Sequence, residues 1–137
     1  MLIKELISKA EKDYMIATLL KHYKVDKIKV KYKHMKEYAW YNVDTGTLEL
    51  SSKYKEVKPK QLKDFLTTII HEIYHAMDAK KYGWRQFKGM YEKEQNMIAQ
   101  GWYDNKKDIY WDNEYEVNAR DFAKKNLSKW KSQFSKK

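Results

Sequence analysis

Cysteine is missing from the 137 residues of this chain. Disulfides and thiolate metal sites are therefore excluded, and any metal must be held by His, Asp or Glu. Proline occurs once, as Pro59, and glycine four times. No stretch reads as a linker, a repeat or a low-complexity segment, and the length fits one domain, 1–137, with a modest core. No apolar run is long enough to cross a bilayer. Lys4, Glu5, Lys9, Glu11 and Lys12 leave no room for the apolar core of a signal peptide in the first dozen residues. A cytoplasmic location without membrane contact is the expectation.

Arginine is also scarce. The chain has 29 Lys and Arg, but only Arg85 and Arg120 are arginine. The formal net charge is +10, carried by lysine in the stretches 27–36, 53–63 and 124–137. Such a charge is compatible with nucleic acid. The reading is disfavoured because arginine is the better reader of phosphates and bases. No glycine-rich phosphate loop, zinc finger or helix-turn-helix pattern accompanies the lysines. Aromatics are plentiful, with 12 Tyr, 5 Trp and 4 Phe, enough to fill much of a small core.

Against that background, two of only four histidines fall in His71-Glu72-Ile73-Tyr74-His75. This is H-E-x-x-H. Residues four apart on a helix lie one turn apart on nearly the same face, so two imidazoles at this spacing can grip one cation. The glutamate beside the first histidine points to the side of the pair. There it can act on water as a general base but is poorly placed as a ligand. The context is helical. Pro59 suits a first turn, Leu62, Phe65, Leu66, Ile69, Ile70, Ile73 and Met77 recur at helical spacing, and Gly83 is a natural stop.

The remaining pattern predicts an α+β fold. Residues 2–22 read as an amphipathic helix with Leu2, Ile3, Leu6, Ile7, Ala10, Tyr14, Ala17 and Leu20 on one stripe. Residues 27–33 alternate as a half-exposed strand, with Ile28, Val30 and Tyr32 on one side. Residues 38–43 and 47–50 flank Asp44-Thr45-Gly46 as a hairpin. A small antiparallel sheet packed with the H-E-x-x-H helix and a C-terminal glutamate-bearing helix is thus expected, a minimal zincin-like plan. By position, strand 47–50 is the candidate edge along which a peptide would pair. Residues 85–99 suggest a further helix and 101–111 a loop with a turn at Asp104-Asn105. Asp112 or Asn113 would cap the last helix. Its stripe is Tyr115, Ala119, Phe122, Ala123, Asn126 or Leu127, Trp130 and Phe134.

Catalytic zinc usually takes three protein ligands and leaves a position open. The other histidines, His22 and His34, precede the motif. Asp78 and Lys81 stand where the extended metzincin pattern needs glycine and histidine. A carboxylate on the last helix remains, Glu116 or Glu114. Small Ala119 and Ala123 share a face with Glu116 and allow a close helix approach, which favours it. An ordinary exposed Glu116–Arg120 pair at i, i+4 would look the same.

The two stretches 71–75 and 116–123, with Glu116, Ala119, Phe122 and Ala123 in an E-x-x-A-x-x-F-A pattern, resemble the ImmA/IrrE family of metallopeptidases. These are gluzincin-like enzymes, many of them encoded by phages and mobile elements. The resemblance spans roughly residues 28–125. It implies zinc held by His71, His75 and Glu116, with Glu72 as general base and a protein or peptide as substrate. It also implies a regulatory protease. The chain departs from the family at Tyr74, where glycine is common, and at Lys124-Lys125-Asn126, where an apolar run with proline often follows. Tyr103, Tyr110 and His34 are conceivable oxyanion stabilisers. Asp78 is a conceivable partner for a ligand imidazole, or simply an exposed helix carboxylate. The expectation is a zinc-dependent endopeptidase. The alternative is a silent zincin-fold binding module for protein or nucleic acid.

Overall fold

A computed structural model describes residues 6–103 and 108–135. The order is α1 (Lys9–His22), β1 (Lys29–Lys33), β2 (Ala39–Asn42), β3 (Thr47–Ser51), α2 (Leu62–Tyr82), α3 (Trp84–Ala99) and α4 (Glu114–Ser135), with short 3-10 turns between β3 and α2. The α+β expectation holds. Leu2, Ile3 and the Asp104-Asn105 turn lie outside the described residues. Among the described residues no helix is long and apolar enough to cross a membrane.

The sheet is mixed, which corrects the antiparallel expectation. Its order is β1-β3-β2, with β1 parallel to β3 and β2 antiparallel to β3. The hairpin is present as read, and Gly46 supplies the positive φ, +65°, that its turn needs. Its second strand, however, inserts between the other two. The reason is burial. Leu48 and Leu50 are almost wholly buried against the core, so the most apolar strand takes the centre. The lysine-bearing β1 and the tryptophan-bearing β2 are left as edges. The expected edge strand is therefore the central one, and β2 is the edge strand beside α2.

The first helix begins later than the pattern suggested. Ser8 caps it, with Ser8 Oγ accepting from Glu11 N–H and the Glu11 carboxylate accepting from Ser8 N–H. This reciprocal box fixes the start. Ile7 instead forms a bridge to Val57. The buried residues of α1 are Lys12, Met15, Ile16, Leu19 and Leu20, whereas the stripe residue Tyr14 is 63% exposed. The rotation follows from Lys12. Its ammonium donates to the Tyr54 carbonyl at 2.9 Å and to the Lys55 carbonyl, stapling α1 to the turn after β3.

Helix α2 runs through the middle of the molecule. Phe65, Leu66, Ile69 and Ile70 are fully buried and Ile73 nearly so. It stops at Gly83, whose φ of +84° few other residues adopt. The Gly83 carbonyl already accepts from Phe87 N–H, so α3 starts at once in a new direction. Helix α4 lies against α2 through Ala119 and Ala123, both fully buried. Their missing bulk is what lets two backbones come close. Tyr74 packs on Phe122 with ring centroids 4.9 Å apart, so it ties the two motif helices together.

Replacing Lys12 with Met should destabilise the protein by about 1–3 kcal/mol, because carbonyls buried at Tyr54 and Lys55 lose their donor. Denaturant titration tests this. A variant as stable as the parent would show that water serves those carbonyls equally well.

Candidate metal centre

His71 and His75 stand one turn apart on α2, with ring centroids at 5.0 Å. Both Nε2 atoms face one oxygen of Glu116, at 2.8 Å from His71 and 3.0 Å from His75. Potential ligand atoms of the three residues all lie within 4.8 Å of one another. Two imidazoles and one carboxylate are a donor set that suits a divalent cation. Bonds of 2.0–2.1 Å in a tetrahedral site put ligands roughly 3.3 Å apart, so a cation needs each imidazole–carboxylate distance to open by only about half an ångström or less. The residues fit.

The choice between the two glutamates falls to Glu116. Its side chain is 4% exposed, while Glu114 is exposed at the helix start. The surface pair with Arg120 is absent. Arg120 instead stacks 3.6 Å over the Trp111 ring and donates to the Trp111 carbonyl at 2.6 Å. Asp78 is half-buried and has no hydrogen bond to His75, whose Nδ1 is buried without a partner. It does not orient that imidazole.

Glu72 sits beside the cluster, with Oε2 3.9 Å from His71 Nε2. Its Oε1 accepts the Tyr41 N–H at 3.1 Å. That N–H belongs to β2 and points away from β3, toward the open edge. The strand therefore braces the carboxylate, a contact that no local pattern around residue 72 announces.

Helix α3 was legible as a helix, but its role was not. Phe87, Tyr91, Glu94 and Ile98 follow at helical spacing toward the interior. Asn113, fully buried, caps α4 by accepting from Tyr115 N–H and also donates to the Tyr91 carbonyl at 3.2 Å. Glu94 accepts the Glu114 N–H at 3.1 Å. So α3 satisfies one orphan donor of α4's first turn, through Glu94, and anchors the Asn113 cap that satisfies another; together they set where Glu116 points. Tyr91 itself donates to Glu116 Oε2 at 2.5 Å.

A cleft of about 970 Å³ opens on the cluster. Trp40 of β2, Phe87 and Tyr91 of α3, and Tyr110 and Trp111 of the turn before α4 are among its walls. That turn is held by Asp108, whose Oδ1 accepts from Tyr110 N–H and Trp111 N–H. Of the three conceivable oxyanion groups, only Tyr110 lines the cleft. Tyr103 donates to Glu94, and His34 lies elsewhere.

The electrostatics are those of a site short of positive charge. Burial opposes ionisation of Glu116, yet hydrogen bonds from His71, His75 and Tyr91 hold its carboxyl well below the usual range. Burial alone would lower His75, but its bond to Glu116 and the charges of Glu72 and Glu116 raise it. Burial raises Glu72, with the nearby histidines opposing. Burial, then the Glu116 and Glu72 charges and a hydrogen bond to Glu116, push the Tyr110 hydroxyl up, so it stays protonated and able to donate.

Comparison of the chain with models of protein families, with characterised proteins and with solved structures finds no match.

The signs of these shifts set a pH window for the metal-free protein. Glu116, depressed in the fold, contributes stability that is present above its ordinary value of 4.5 and lost as pH falls through the folded value. His75, raised, contributes stability that is present below 6.5 and lost as pH rises through its folded value. Thermal melts in chelator should therefore peak between these values. A bound cation needs neutral imidazoles, so added metal should stabilise most at higher pH. Metal stabilisation that grew toward low pH would contradict the assigned ligands.

Proposed function

We propose that this protein is a zinc-dependent endopeptidase of the kind its two motifs resemble, with a regulatory substrate. The observation that carries the reading is the convergence of His71, His75 and Glu116 on one point, with Glu72 buried beside them on an open cleft. The donor set of two imidazoles and one carboxylate is typical of catalytic zinc, and it leaves a position free. Glu72 supports catalysis over a purely structural site, because holding a metal requires no buried carboxylate at that position.

Zinc held there would supply Lewis acidity, acidifying water and polarising a carbonyl. The chain's own residues do the rest. Glu72, held by the Tyr41 N–H, takes the proton from the attacking water and passes it to the leaving amine. Burial raises its affinity for protons, the direction that helps it hold the proton it takes. Tyr91 is held by its short bond to Glu116 and by packing, whereas Tyr110 lines the cleft on the turn before α4 and would exchange its own interaction with Glu116 for the developing oxyanion. The β2 edge offers the Ala39 and Tyr41 carbonyls, on the side away from β3, to an extended peptide.

The test is to incubate zinc-loaded protein with a proteome-derived peptide library and identify new N-termini by mass spectrometry. Cleavage should disappear with chelator. Glu72→Gln should lower it by about 10²–10⁴-fold while zinc per chain stays unchanged. A Glu72→Gln variant as active as the parent would remove Glu72 as the base. Tyr110→Phe should reduce kcat by about 10²–10³-fold with zinc retained, and an unaltered kcat would take Tyr110 out of the reaction. Zinc binding with no cleavage of any library member would favour the binding-module alternative.

A further inference from the structure

The two oxygens of Glu116 have different employment. Oε1 faces His71 and His75. Oε2 accepts the Tyr91 hydroxyl at 2.5 Å, and the carboxylate is almost wholly buried. An O–H to carboxylate bond of this length lies at the short end of the charge-assisted range. Tyr91 cannot swing freely either. Its carbonyl is held by Asn113, and its ring packs edge-on to Phe87 and His75, with centroids 6.2 and 6.3 Å away.

A carboxylate can meet a cation with one oxygen or with both. Nothing on α4 itself selects between the two modes. The phenol of α3 does, because it occupies the second oxygen while the imidazoles face the first. We propose that Tyr91 is a positioning residue that fixes Glu116 as a one-oxygen ligand and so keeps the remaining coordination position free for water and substrate. This rests on the metal reading of Glu116 but not on peptidase activity. It also assigns α3 its purpose, since the bonds from Asn113 and Glu94 hold the helix that carries the phenol against the helix that carries the ligand.

Tyr91→Phe removes one oxygen atom and keeps the ring. Two measurements on wild type and variant test the proposal: zinc affinity by competition with a chromophoric chelator, and the visible spectrum of the cobalt(II)-substituted protein. Losing a partner that orients a ligand typically weakens metal binding about 10–100-fold, and that loss is expected here. The cobalt bands should also weaken, as intense four-coordinate absorption gives way to five-coordinate absorption when both Glu116 oxygens bind. Tyr115→Phe is the control, because Tyr115 packs 6.3 Å from the Tyr91 ring without facing the ligands. It should match wild type in both readouts.

Wild-type affinity in Tyr91→Phe, or weaker affinity with an unchanged cobalt spectrum, overturns the proposal. Wild-type protein that binds neither zinc nor cobalt overturns the metal reading and this assignment with it. Wild-type protein that binds zinc and cleaves nothing removes the peptidase reading alone, and a changed Tyr91→Phe spectrum then still upholds Tyr91.

Discussion

A buried carboxylate at Glu116 governs this structure. Placing an uncompensated charge in the interior costs several kcal/mol, so the groups around it must answer it. Two imidazoles come from α2 and a phenol from α3. Three helices therefore meet at one side chain, and the geometry of each is fixed by what Glu116 requires. The same arrangement brings three potential ligand atoms to one point, a geometry compatible with a metal ion, which is what separates it from an ordinary internal ion pair.

The supporting parts can be ranked by how directly they serve that point. Ala119 and Ala123 let α4 approach α2, and without that approach Glu116 would not reach the histidines. The Tyr74–Phe122 pair holds the same two helices on the next face. Asn113 and Glu94 aim the first turn of α4. The sheet acts from the other side, where the Tyr41 N–H holds Glu72. The core beneath, built from Phe65, Leu66, Ile69 and Ile70, makes α2 stiff enough for these demands to be met together.

The cleft inherits its character from the edges. Because β3 is central, β2 presents its open side next to Glu72, and Trp40 lies at that margin. Opposite, Arg120 stacked on Trp111 fastens the turn that carries Tyr110. Spacing alone also allows Arg120 an i, i+4 pair with Glu116, but the ring and carbonyl of Trp111 offer it a stacked cation–π contact and a charge-assisted bond at once. A partly screened i, i+4 pair is worth only a few tenths of a kcal/mol.

What the chain determined by itself was local. The spacing of His71, Glu72 and His75, the apolar period of α2, the stop at Gly83, the Gly46 turn and the small face at Ala119 and Ala123 each follow from the geometry of one element. Helix geometry was therefore enough to nominate two imidazoles and a base, and to prefer Glu116. The tertiary structure decided everything that joins elements distant in sequence: the insertion of β3 between β1 and β2, the rotation of α1 around Lys12, the brace from Tyr41 to Glu72 and the bond from Tyr91 to Glu116. None of these has a periodic signature. Each arises where a buried polar group must find a partner, and which partner lies within reach is settled only once the helices have packed.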